Sequence, residues 1–161
     1  AGSDRQQKED KMFDQNSLPP AGGDDHARLL ATLARADAAA LKALAEGLLP
    51  RLGEVEVLAS RTGLVMLPMR DTVKGTDFHL GEVLVAEAHL RLGSGTEGYG
   101  MVIGRDLERA MAMALTDAAY AEDVARAEIE RFVTGEAARQ ASGDRETLRA
   151  VEATRVEMET F

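Results

Sequence analysis

The residues best suited to chemistry are Gly104, Arg105 and Asp106. A strand-like run, Glu97–Gly104, ends at the glycine, and a helical pattern opens after Asp106, which puts Arg105 at a helix N-terminus. Free backbone N–H groups beside a guanidinium suit a phosphate or another oxyanion. Arg61 and Arg70, which bracket the apolar run Thr62–Met69, are the next candidate cations. Each has an ordinary explanation too: the glycine makes a turn, the aspartate caps the helix, and the three arginines pair with nearby carboxylates. One functional reading is therefore a stand-alone binding module for a small anion, phosphate or phosphonate, centred on Arg105 with Gly104, Asp106, Arg61 and Arg70 around it.

The supply of other reactive groups is short. His26, His79 and His89 are the only imidazoles, and there is no Cys, which rules out thiolate sites, disulfides and a cysteine nucleophile within this sequence. No HExxH and no His pair at i, i+4 is present, so no metal site is expected from this chain. His89 alternates with Glu87 and Arg91, as a solvated strand face does, and His79 follows Asp77 and Phe78 in a strand or turn. The 28 Asp and Glu side chains offer no pair that spacing singles out for acid–base work. The glycine-dense stretch Gly93–Gly104 contains no Lys and matches no phosphate-cradling pattern, so it reads as turn plus strand. No catalytic residue is assigned.

These groups are carried by a chain of 161 residues, long enough for one ordinary domain. The hydrophobic fraction is 45% and the aromatic fraction 4%, so the core must be built from Leu, Val, Ala and Met. A net charge of −9 and a pI near 4.9 disfavour nucleic acid and anionic membrane surfaces as partners. No apolar run is long enough to span a bilayer, the N-terminus lacks the pattern of a signal peptide, and the cytoplasm is the expected compartment.

Residues 1–25 read as a polar flexible tail, broken by Pro19-Pro20 and Gly22-Gly23 and partly of the kind a vector supplies; residues 26–161 read as a single domain. Leucines at helical spacing over Ala27–Leu49 predict two helices divided at Asp37 and stopped by Pro50 and Gly53. Glu54–Ser60 alternates as a half-buried strand, Thr62–Arg70 reads as a more apolar one, Phe78–Leu92 as a long strand and Glu97–Gly104 as a fourth. Short connections make the sheet mainly antiparallel. Helices are expected after Asp106, over Ala121–Val133 and over Arg145–Ala153, and the end, Arg155–Phe161, as an extended arm or strand. The fold class is α+β: helices, a roughly four-stranded sheet, then helices.

The order of several short patterns resembles the PhnG family, the G subunit of the carbon–phosphorus lyase system. They are Thr62-Gly63-Leu64-Val65, Phe78 followed by Leu80-Gly81-Glu82, Gly95-Thr96 with Gly98-Tyr99, Gly104-Arg105-Asp106, Asp117-Ala118, and Ala153-Thr154-Arg155-Val156-Glu157 followed by Thr160. The polar tail has no counterpart in that pattern, and relatives often continue past the position of Phe161.

The resemblance implies a cytoplasmic subunit of a multisubunit transferase. With the H and I subunits and the ATPase-like L subunit, it is required for moving the ribose triphosphate moiety of MgATP onto a phosphonate such as methylphosphonate, with release of adenine. It further implies a core complex holding two copies each of G, H, I and J. MgATP is then the substrate of the complex, no cofactor is bound by this chain alone, and the carbon–phosphorus bond is broken later by J, a radical S-adenosylmethionine enzyme. The I subunit is the expected seat of the nucleosidase chemistry, which leaves this chain a mainly structural role.

Overall fold

A computed structural model describes residues 21–155. The polar tail up to Pro20 and the expected extended arm at Val156–Phe161 lie outside the described residues. Helix α1 (Ala21–Ala34) begins inside the stretch grouped with the tail, so residues 21–25 are helical. It buries Leu29 and Leu33, one turn apart. Asp37 then caps α2 (Ala38–Leu52), its Oδ2 accepting from the Ala40 N–H at 2.9 Å. Leu41, Ala45 and Leu48 form the buried stripe of that helix. Pro50 sits in its last turn, and Gly53, at φ +72°, ends it.

Among the described residues the sheet has three antiparallel strands in the order β1-β2-β3, rather than four: β1 (Val55–Arg70), β2 (Asp77–Leu92) and β3 (Glu97–Ile103). The two strands expected at Glu54–Ser60 and Thr62–Arg70 are one continuous strand, interrupted by register shifts between Val57 and Ala59 and between Leu67 and Pro68. Arg61 alone cannot reverse a chain. The shift there from alternating to uniformly apolar sequence marks where the strand leaves the body, not where it turns.

One face of the sheet is buried. Ala86, Ala88, Leu90 and Leu92 of β2 point inward, as does Val102 of β3. Helix α3 (Leu107–Ala121) lies on this face, α2 packs on α3, and α1 fills the side together with α4 (Arg126–Ala153). The helices expected over Ala121–Val133 and Arg145–Ala153 are this single α4. Its start is delayed to Arg126 because Asp123 and Ala125 take left-handed backbone, at φ 61° and 52°. Gly135 and Gly143 do not break it: without a proline, an internal glycine costs only about 1 kcal/mol against Ala.

Strand β3 pairs with β2 only from Val85 to Arg91. Beyond that, residues 64–84 form a two-stranded ribbon with the loop Asp71–Thr76 at its tip, and nearly every side chain from Leu64 to Glu82 is exposed. Leu64 (63%), Met66 (56%) and Leu84 continue the face that is buried farther down, whereas Val65 (41%), Leu67 (45%) and Val83 point the other way. The ribbon is thus apolar on both faces.

Candidate functional site

The corner between β3 and α3 is built as the sequence predicts. Gly104 turns at φ +106°, a conformation open to glycine, while its N–H stays bonded to the Leu84 carbonyl at 2.9 Å. Asp106 caps α3: Oδ1 accepts from the Arg109 N–H at 2.9 Å and Oδ2 from Lys42 Nζ at 3.0 Å. That backbone bond, and then the ammonium, hold its carboxyl below the usual aspartate value, and the carboxylate in turn raises Lys42. Arg105 between them is exposed; its carbonyl accepts from the Leu107 N–H at 2.9 Å, and its guanidinium has no hydrogen bond or ion pair among the described residues. One turn on, Arg109 donates from Nη2 to the carbonyls of Ala34 and Ala36, both at 2.8 Å, and so closes the C-terminal end of α1. Asp106 already takes one helix N–H, and the Arg105 guanidinium beside it is exposed.

The other candidate cations stand elsewhere. Arg61 Nε donates to Glu87 Oε2 at 2.9 Å, and Arg70 Nε to the Gly75 carbonyl at 3.3 Å, with Asp77 Oδ1 at 3.5 Å. Gly104 bonds at the level of Leu84, whose partner across the ribbon is Leu64. Arg61 lies three residues from Leu64 in one direction and Arg70 six in the other, roughly 10 and 20 Å along the strand at about 3.3 Å per residue. The structure does not bring these arginines together. A groove of about 230 Å³ between α2 and α3 is lined by Lys42, Leu49, Met111 and Leu115 among others, and a wider one of about 580 Å³ by Arg28, Leu29, Tyr120 and Val133 among others; neither gathers the candidate arginines.

Two polar constellations escape a reading by spacing. The first joins α1, β3 and α3: the buried Asp117 accepts from His26 Nε2 at 2.7 Å and from the Tyr99 N–H at 2.9 Å. The second covers the open face of the sheet. Glu97 binds Arg91 at 2.8 Å and His89 at 2.9 Å, while Glu87 accepts from Arg61 and, at 3.1 Å, from the Tyr99 hydroxyl. Arg61 lowers Glu87 and Arg91 lowers Glu97, while burial and then Glu87 raise Tyr99. The alternation of Glu87, His89 and Arg91 gives the face in advance, but their partners depend on the pairing of β2 with β3. Every carboxylate in this network is matched by a cation, on a flat surface rather than in a cleft. It stabilises the sheet and leaves no charged group idle for catalysis.

The largest unsatisfied surface is therefore apolar. The ribbon's exposed leucines, methionines, valines and Phe78 amount to on the order of 800 Å², taking about 150–250 Å² for each residue when free, against roughly 300–600 Å² for the largest patch on a typical monomer.

Comparison with known proteins agrees with the resemblance drawn from the short patterns. The family profile described as "Phosphonate metabolism protein PhnG" matches residues 25–161. The chain is also similar to the "Alpha-D-ribose 1-methylphosphonate 5-triphosphate synthase subunit PhnG" of Rhizobium meliloti (strain 1021), with 36% identity over 105 residues, 65% of this chain and 67% of that protein.

Proposed function

This chain belongs to the PhnG family of phosphonate metabolism proteins, and from that premise we propose that it is an obligate, mainly structural subunit of a ribose 1-methylphosphonate 5-triphosphate synthase. In this reading the assembled enzyme works in the cytoplasm on MgATP and a phosphonate. A phosphonate oxygen bonds to the ribose carbon as its bond to the adenine nitrogen breaks, and adenine leaves. H, I and L share that step, and this chain joins H, I and J in a core with two copies of each. The observation that carries the reading is the ribbon, exposed and apolar on both faces.

The test is adenine release from MgATP and methylphosphonate by the mixed H, I and L subunits, with and without this chain. We expect release only when it is present, and no release from the chain alone. Full turnover without it refutes the reading. A second reading keeps Arg105 as the centre of a small-anion site, supported by its exposed guanidinium at the Gly104 turn. Calorimetry on the isolated chain with phosphate and methylphosphonate separates the two: heat of binding that Arg105→Ala removes favours the second.

A further inference from the structure

The ribbon poses a question that membership of an assembly does not answer: what kind of surface accepts it. Its two faces carry apolar side chains of similar extent, Leu64 and Met66 on one and Val65 and Leu67 on the other. Face-to-face packing with a second copy would cover one of them, about 400 Å² of apolar surface per chain, and leave the other in water. Only an occupant that closes over both faces covers the whole patch. The charges agree. Within residues 64–84, Arg70 and Lys74 stand against Asp71, Asp77 and Glu82, a net of −1, whereas the described residues on either side, 21–63 and 85–155, sum to −5. A second copy brings another acidic body and is repelled, and an anionic lipid surface is repelled for the same reason.

We propose that residues 64–84 are the docking element of this chain, inserted into an apolar cleft of a partner protein of different sequence that closes over both faces of the ribbon. The inference rests on the subunit role proposed above and names the element that performs it. The cleft must be apolar to match side chains on both sides, and a neutral or basic rim suits the acidic body that follows the ribbon to its mouth. Among the described residues the outer edge of β1 carries no strand, and beyond Val85 neither does that of β2, so the walls of the cleft can also bond to these backbone edges.

The experiment uses the full chain co-expressed with the H, I and J companions, a tag on this chain, and affinities from titration of the purified parts. Met66→Lys changes one face, Val65→Lys the other, and Leu148→Lys serves as a control on the exposed end of α4. An unpaired ammonium buried in an apolar cleft is costly, so each ribbon variant is expected to lose on the order of 100-fold in affinity while the control binds as the wild type does. Circular dichroism and melting temperature of the isolated variants should stay unchanged, because neither side chain touches the core. Loss from only one of the two ribbon variants overturns the enclosing cleft. Unchanged binding by both, or loss from the control alone, overturns the ribbon as docking element. Light scattering that shows a dimer of the isolated chain, dissolved by the ribbon variants, assigns the surface to a second copy. If the wild-type chain itself fails to associate with the companions, the subunit role fails as well, an outcome distinct from all of these.

Discussion

Glycine at two positions of β3 decides how closely a helix can lie on the sheet. A Cβ at Gly98 would meet Ala118 at 2.7 Å (Cβ) and 2.9 Å (N), and one at Gly100 would meet Ala114 N at 2.8 Å and Met113 Cβ at 3.0 Å. Opposite them on α3, Ala110, Ala114 and Ala118 recur every four residues, all fully buried. Helix backbone and strand backbone are in direct contact, with no side chain between. Gly100→Ala must push α3 away from the strand or bend it, and is expected to destabilise by about 1–3 kcal/mol or more, read as a lowered thermal midpoint. Gly143→Ala should do the opposite and gain up to about 1 kcal/mol, since that glycine lies within α4 with nothing near its would-be Cβ. The sequence marks both kinds of glycine alike. The cluster Gly93–Gly104 is recognisable as turn and strand, whereas the reason for Gly98 and Gly100 exists only once α3 lies across them.

Two-stranded ribbons without a third strand or a covering helix are marginal in water. Among the described residues the ribbon 64–84 has neither, whereas its base is held by β3 and α3. Amides from Leu64 to Met69 and from Phe78 to Val83 should exchange within the fastest class of the isolated chain, while those of Ala88, Leu90 and Val102 track global unfolding. In the assembled complex the ribbon amides should become protected, and hydrogen-exchange mass spectrometry on both samples measures this. The sequence makes most of the elements legible: both N-terminal helices, the cap at Asp37, the long β2 and the cap at Asp106 all follow from local patterns. What it misstates has one cause. Local pattern divides β1 and α4 where a change in burial resembles a change in element. Local pattern records what a segment packs against, so a strand passing from a half-covered sheet into a bare ribbon changes its pattern without ending.

Charge pairing is spread over the whole molecule and gives it a defined acid limit. Glu87, Glu97, Asp106, Glu122, Glu136 and Asp144 all have carboxyls held below their ordinary values, chiefly by hydrogen bonds from Arg61, Arg91, the Arg109 N–H, Ser94, Arg139 and Arg35 respectively. Near pH 4 each binds fewer protons in the folded chain than in the unfolded one. Their contribution is therefore complete above the ordinary carboxylate values and is lost as pH falls through the lowered ones. The melting temperature should stay level from pH 7 to about 5 and drop below about pH 4.5. Glu136, which also accepts from the Asp37 N–H at 3.0 Å, is the most enclosed of the six, and Glu136→Gln should melt lower at pH 7 and fall less steeply in acid. Asp106 with the Arg109 N–H and Glu136 with Arg139 are three residues apart on one helix, whereas the other four join residues that only the pairing of strands or the packing of helices brings together. Arg35 and Asp144, for instance, are 109 positions apart in sequence.

The way the two ribbon strands leave the body has a further effect. They depart side by side, Gly63 opposite Val85, so the body meets the ribbon at one narrow crossing whatever lies beyond it. Residues added or removed in matched pairs, two on each strand to keep the faces in phase, alter the reach of the projection by about 7 Å per step and leave the packing beneath it untouched. The projection can thus be lengthened or shortened as an interchangeable part, its span free to change independently of the base that holds it.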